Sequence, residues 1–80
     1  MLKAGSILKI RGRGPYGRFP VFIENRFKGA EVRVVKCEPY YNDIRCDYEV
    51  IVVTAKDYKD SYLDFLRDYF GLDIEVMKRK

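Results

Sequence analysis

A glycine-rich stretch near the N-terminal end combines the residue types that bind phosphate and stack on bases. It places Arg11, Arg13 and Arg18 beside Tyr16 and Phe19, on a backbone in which glycines allow close approach. Guanidinium groups hold phosphate oxygens through paired hydrogen bonds, and an exposed aromatic ring contributes about 1–3 kcal/mol per stacked base. We therefore predict that this stretch binds nucleic acid. The competing interpretation is a plain loop with solvated arginines, whose two rings cover one end of the fold.

The charges are segregated along the chain. Residues 1–36 carry a net charge of +7, residues 37–75 carry −6 and the last three residues carry +3, for a total of +4. This segregation predicts a face that binds polyanions, which Arg26, Lys28 and Arg33 would extend. The alternative is that the two halves neutralise each other across the fold.

The residue types that most enzymes and metal sites need are missing. The chain has no His, and Ser6, Ser61, Thr54 and the two cysteines stand in contexts without an activating neighbour. A structural zinc site needs four Cys or His ligands. We therefore expect no catalytic residues, no metal and no cofactor. No apolar run approaches the roughly 20 residues of a membrane-spanning helix, and the N-terminal residues do not resemble a signal peptide, so a cytoplasmic location is expected.

Apolar periodicity predicts one domain, residues 1–80, with the order β-β-β-β-α-β. Strands are predicted at 6–11, 19–24, 30–36 and 43–54, a helix at 57–70 and a last strand at 72–77. Residues 12–18, with three glycines and a proline, are predicted to be irregular. The pattern indicates an α+β domain: a small antiparallel sheet or barrel, OB- or SH3-like, over residues 5–54, followed by the helix and the last strand.

The two cysteines flank a predicted hairpin turn at residues 39–42. With Tyr41 and Asn42 at its tip, Cys37 and Cys46 face each other and could form a cross-strand pair. The alternation of apolar residues instead favours a register with Val34 opposite residue 50, so the register stays open. Two reduced thiols are the expected state in a reducing compartment.

The predicted helix carries a stripe of large apolar residues. Tyr62, Phe65, Leu66 and Tyr69, with Phe70 at the end, are spaced to share one face, which we expect to form part of the core. If that stripe is instead exposed as a contiguous patch, the helix or the last strand would bind a protein partner or a second copy. Asp57 or Asp60 is expected to cap the helix, and Gly71 to end it.

Residues 5–51 resemble the TRAM domain, a small OB-type β-barrel associated with RNA. The residues that carry the resemblance are a first strand (residues 7–10), the glycine loop (residues 12–17), a second strand (residues 19–23), the segment Lys-Gly-Ala-Glu-Val-Arg-Val (residues 28–34) and Tyr-Glu-Val-Ile (residues 48–51). The resemblance implies an RNA-binding barrel that contacts RNA through residues 11–18 and the face carrying Arg26, Lys28 and Arg33. The two hypotheses are thus binding of nucleic acid, with RNA favoured over DNA, and a protein-interaction module or inhibitor.

Overall fold

The computed structural model describes residues 1–15 and 31–80. These ranges contain, in chain order, β1 (Ile7–Pro15), β2 (Glu31–Tyr40), β3 (Asp43–Val53), α1 (Asp60–Phe70) and β4 (Asp73–Lys78). The strand predicted at 19–24, and the turn predicted after it, lie outside the described residues.

The four strands form one antiparallel sheet in the order β2-β3-β1-β4. The dense β-branched run in β3 lies in an internal strand, as expected for residues that pack on a pleated surface. β2 and β4 are the outer strands of this described sheet and do not pair with each other. The sheet is therefore open rather than closed into a barrel, and the α+β class predicted from the sequence is confirmed.

β1 extends further than the sequence predicted. It continues through Gly12 and Gly14 to Pro15, so the irregular segment expected from residue 12 onward is wrong over its first four residues. Both glycines fall on the same side of the strand, with Gly12 opposite Tyr48 and Gly14 opposite Cys46. Pairing with β3 supplies the hydrogen-bonding partners that overrule the weak strand preference of glycine.

β2 and β3 form a hairpin with the predicted tip. Tyr40 lies opposite Asp43, which leaves two residues, 41 and 42, in the turn. Further from the tip, a bulge between Val34 and Lys36 shifts the register by one residue. Because of this bulge, neither register considered from the sequence holds throughout: residue 32, not residue 34, faces residue 50.

The two cysteines form a disulfide across the hairpin. Cys37 and Cys46 are opposite each other in the register, with their Cα atoms 4.0 Å apart and a bond between the sulfurs. The expectation of two reduced thiols is therefore wrong for this structure. The bridge fixes the hairpin three residue pairs below its tip.

The helix α1 buries a narrower face than its apolar stripe predicted. Leu63 and Leu66 are buried, whereas Phe65, Tyr69 and Phe70 remain 49%, 72% and 40% exposed. The core assignment was right for Leu66 and wrong for these three aromatic residues. At about 100° per residue, the apolar positions span an arc of roughly 160°. Leu63 and Leu66 lie towards one side of this arc and face the core, so the rings on the other side stay exposed.

The ends of α1 differ in how well the sequence predicted them. Lys59 occupies the N-cap position without a side-chain cap, so neither predicted aspartate caps the helix. Asp57 accepts a hydrogen bond from the backbone N–H of Ala4 instead, and Asp60 lies in the first turn. Gly71 ends the helix in the left-handed conformation, as predicted, with φ of 63°.

The core lies between α1 and one face of the sheet. Its buried side chains come from the N-terminal segment, three strands, the helix and its flanks: Leu2, Leu8, Ile10, Cys46, Tyr48, Val50, Val52, Tyr58, Leu63, Leu66, Leu72 and Ile74. Paired backbone hydrogen bonds between Leu2 and Tyr58 tie the N-terminal segment to the approach of the helix. The other face of the sheet, called the outer face below, carries the side chains of β1 residues 9, 11 and 13.

Candidate interaction surfaces

The outer face holds two of the arginines predicted to bind phosphate. Arg11 donates from Nε to Glu49 Oε2 at 3.1 Å, and its Nη1 lies 4.0 Å from Asp73 Oδ2. Arg13 donates from Nε to Asp47 Oδ1 at 2.7 Å and lies 3.0 Å from Glu38 Oε1. Each arginine thus bridges carboxylates from two other strands.

These ion pairs shift the protonation equilibria of the groups that form them. The hydrogen bond from Arg13 holds the pKa of Asp47 below its ordinary value, and the hydrogen bond from Arg11 lowers the pKa of Glu49. The same contact with Asp47 raises the pKa of Arg13. Both carboxylates therefore carry their charge at neutral pH, directly beside the arginines.

The strand register extends this pairing into rows of alternating charge. In one row Arg33 of β2 lies opposite Glu49 of β3, which lies opposite Arg11 of β1, which lies opposite Asp73 of β4. Cross-strand pairs of opposite charge stabilise antiparallel sheets. The basic N-terminal half is here apposed to acidic residues of the C-terminal half, which is the neutralising arrangement weighed from the sequence.

Of the eight residues predicted to contact nucleic acid, three lie in the described ranges. Arg11 and Arg13 are brought together on the outer face in the ion pairs described above, and Arg33 lies exposed on β2. The other five lie outside the described residues: Tyr16, Arg18, Phe19, Arg26 and Lys28.

A row of aromatic rings runs along α1 and forms what we call the aromatic ladder, defined as Tyr58, Tyr62, Phe65 and Tyr69. Successive ring centroids are 5.6, 6.3 and 5.3 Å apart, and the rings are stacked with interplanar angles of 12°, 21° and 19°. Phe70 closes the row edge-on, 4.8 Å from Tyr69. Exposure rises along the ladder, from Tyr58, which is buried, to Tyr69 at 72%.

A groove of about 460 Å³ opens at the N-terminal end of the ladder. Its lining includes Tyr58, Tyr62 and Phe65, together with Lys56 and Lys59. The ammonium group of Lys56 lies 5.6 Å from the centroid of the Tyr58 ring, close enough for a cation–π interaction. The groove therefore combines apolar walls with a charged rim that also includes Asp57.

A second cleft, of about 370 Å³, is lined half by charged residues of the outer face and half by Gly12, Val35, Tyr48 and Gly71. Its lining includes Arg11, Asp47, Glu49 and Asp73, which are already engaged in the ion pairs above. Within residues 1–15 and 31–80, no three side chains of the His, Cys, Asp and Glu types are grouped so that they could hold a metal ion.

The tip of the β2–β3 hairpin presents a third exposed group. Tyr41 is 91% exposed and adopts a positive φ of 52°, a conformation that bulky residues rarely take. The Tyr40 ring packs edge-on against it at 4.7 Å, and the Arg45 guanidinium carbon lies 4.2 Å from the Tyr40 centroid.

Comparisons with known proteins do not assign this chain to a family. No family model, no curated protein and no solved structure matches the chain. Nothing helical in the described residues has the length and hydrophobicity that crossing a membrane requires.

The sequence-based reasoning missed the groove and its lysines. The spacing that placed Tyr62, Phe65 and Tyr69 on one face also extends back to Tyr58, four residues before Tyr62. That continuation would have indicated that the aromatic row begins before the helix does, next to Lys56.

Proposed function

We propose that this chain is a protein-interaction module that binds its partner through the aromatic ladder. One observation carries the proposal: Phe65 and Tyr69 are 49% and 72% exposed in a contiguous stacked row. From the sequence, exposure of Tyr62 and Tyr69 in one apolar patch was expected to favour a protein-interaction module; Tyr69 meets this condition, whereas Tyr62 is half-buried.

Tyr58 belongs to the core and Tyr62 packs against it, but the exposed end of the ladder, Phe65 and Tyr69, is not needed to hold the helix in place. Leu63 and Leu66 are 2% and 1% exposed and supply the contact between α1 and the core. Large aromatic side chains left in water contribute little to stability, whereas they are enriched at the centres of protein interfaces. The exposed rings are therefore better explained by a partner than by folding.

The border of the ladder has the character of an interface rim. Lys56 and Lys59 lie at its N-terminal end, and Asp64 and Asp68 lie exposed on the neighbouring helix surface. An apolar centre within a charged border is the usual anatomy of a specific protein interface. A partner that fits would present apolar side chains to the ladder and opposite charges to each end.

Site-specific photo-crosslinking tests this proposal. A photoreactive phenylalanine analogue in place of Tyr69 should give adducts with a protein partner in an extract of the native cells, and excess unlabelled wild type should suppress them. Excess Tyr69→Ser protein should not suppress them. The same analogue in place of Tyr41, which is more exposed than Tyr69 and lies at the hairpin tip, is the control. Equal adducts from both positions, or none at 69, would contradict the proposal.

We propose nucleic-acid binding, with RNA favoured, as a second candidate function, because of the hairpin tip. A Tyr41 ring that is 91% exposed next to the Arg45–Tyr40 pair is suited to stacking on an unpaired base. In this candidate, the chain would act as a TRAM-like RNA-binding domain. Phosphates would compete with carboxylates for Arg11 and Arg13.

Binding of a labelled single-stranded RNA and of a DNA duplex, at low and moderate salt, tests this candidate. Tyr41→Ala should weaken RNA binding by roughly 5- to 100-fold if one base stacks on the ring. Tyr69→Ala, which removes an exposed ring from the helix instead, should leave it unchanged. Absence of binding even at low salt would exclude the candidate, since phosphate contacts strengthen as salt falls.

A further inference from the structure

The two lysines at the rim of the groove carry charges that no carboxylate of the described residues neutralises. Lys56 and Lys59 are both exposed, and neither forms an ion pair with residues 1–15 or 31–80. The ammonium group of Lys56 instead lies 5.6 Å from the centroid of the Tyr58 ring. Two unpartnered positive charges beside apolar walls are complementary to carboxylates that stand beside an apolar side chain.

The carboxylates that adjoin these lysines in the chain are engaged with other groups. Asp57, which also lines the groove, accepts a hydrogen bond from the backbone N–H of Ala4 at 2.8 Å and lies 3.9 Å from the ammonium group of Lys3. Asp60 accepts a hydrogen bond from the guanidinium group of Arg79 at 3.1 Å. The charge that the rim of the groove offers to a partner is therefore positive.

We propose that the groove binds an acidic segment of the protein partner, in which one apolar side chain enters the groove and neighbouring carboxylates pair with Lys56 and Lys59. This inference rests on the proposed function and names the chemistry of the partner at this end of the ladder. A volume of about 460 Å³ is sufficient for a large apolar side chain. Such an anchor supplies most of the binding energy, while charges at the rim fix its orientation and select against other partners.

The charges along the rest of the ladder favour an acidic protein segment over a nucleic acid. Each of the two exposed rings, Phe65 and Tyr69, directly follows an exposed aspartate, and Asp68 has no ion-pair partner within the described residues. A phosphate backbone is negative along its whole length, so it would meet these carboxylates if it followed the rings. A protein segment can confine its acidic residues to the end that lies on the two lysines.

Selection from a displayed library of random nonapeptides, with the purified full chain immobilised, tests the proposal. Peptides enriched on the wild type should carry Asp or Glu next to a large apolar residue. The charge-reversed variant Lys56→Glu/Lys59→Glu should instead select Lys or Arg at those positions beside the same kind of apolar residue. Arg33→Glu/Lys36→Glu, which makes the same change in net charge on β2, should select the same acidic peptides as the wild type. Circular dichroism verifies that each variant is folded.

Fluorescence anisotropy of the most enriched peptide measures the contribution of each part. The contact area is small, so we expect a dissociation constant on the order of 100 µM. Replacing the acidic residues of the peptide by their amides should weaken binding by about fivefold, as expected for two exposed ion pairs. Replacing its apolar residue by serine should abolish binding, and an excess of a nine-nucleotide oligouridylate should not displace the peptide.

Several results would overturn the proposal. These are no enriched peptide, enriched peptides without an acidic preference, the same preference on the charge-reversed variant, or displacement by oligouridylate, which would assign the groove to a nucleic acid. If the Tyr69-specific adducts described above still form, only the chemistry assigned to the partner is wrong. If those adducts are absent as well, the proposed function fails with it.

Discussion

Leu66 and Tyr69 of α1 differ in burial, and this difference gives a quantitative prediction about stability. Leu66 is 1% exposed in the core, so Leu66→Ala should cost about 2–5 kcal/mol in the free energy of unfolding. Tyr69 is 72% exposed, and serine has a similar helix propensity, so Tyr69→Ser should change the stability of the monomer by no more than about 0.5 kcal/mol. The free energy of unfolding of an 80-residue domain is roughly 4–12 kcal/mol. The loss expected for Leu66→Ala is therefore severe, and the change expected for Tyr69→Ser is barely measurable.

Urea denaturation followed by circular dichroism measures both changes. It should be carried out at low micromolar concentration, because any self-association would make the midpoint depend on concentration. A loss of about 3 kcal/mol or more for Tyr69→Ser under these conditions would refute the reasoning. Such a loss would mean that the ladder is part of the core, as the apolar stripe alone predicted.

Three further predictions concern the framework that holds the surfaces in place. Reducing the Cys37–Cys46 bridge, which closes a loop with a sequence separation of 9, should lower the stability by about 2–3 kcal/mol; an unchanged urea midpoint after reduction would count against a role for the bridge. Because the folded pKa values of Asp47 and Glu49 are lowered, their contribution is complete above the ordinary carboxyl pKa of about 4 and is lost as the pH falls through the lowered values. Urea midpoints should therefore fall between pH 5 and 2, and less steeply in Asp47→Asn; a flat profile would contradict the ion pairs. Gly71→Ala should cost about 1 kcal/mol by thermal unfolding, because φ is 63° although the space around the glycine is open; Gly71→Asn should cost less, and no loss for alanine would argue against the left-handed cap.

Sequence patterns predicted correctly those elements that are determined by residues close together in the chain. The β-branched run of β3, the alternating residues of β4 and the glycine after α1 each act through their own neighbours, and each was assigned correctly. The hairpin tip at Tyr41–Asn42 belongs to the same group, because turn residues between two apolar segments leave little choice of position. The bulge between Val34 and Lys36 was not predictable in this way, because it is a property of the pairing between β2 and β3 and not of neighbouring residues alone.

The surfaces depended on long-range pairing that the sequence does not display. Arg11 and Arg13 meet Glu49 and Asp47, which are 38 and 34 residues away, only through the register of β1 with β3. When the register is unknown, a basic segment is read as a phosphate-binding site. The sequence alone then gives no reason to prefer the alternative, in which acidic residues of another strand neutralise the arginines. The same limit applies to α1: the leucines and the aromatic rings share one apolar arc, so periodicity could not decide which part of that arc faces the sheet.

The most direct test of the proposed interface is an NMR experiment that follows the tyrosine ring resonances of the purified chain. Adding the protein partner captured by the Tyr69 cross-link should shift the Tyr69 resonances in a saturable way while those of Tyr41 stay constant. Single-stranded RNA, added separately, should leave Tyr69 unaffected. Tyr69 resonances that do not change with the partner, together with Tyr41 resonances that shift when RNA is added, would contradict the proposed interface and favour the hairpin tip as the functional surface.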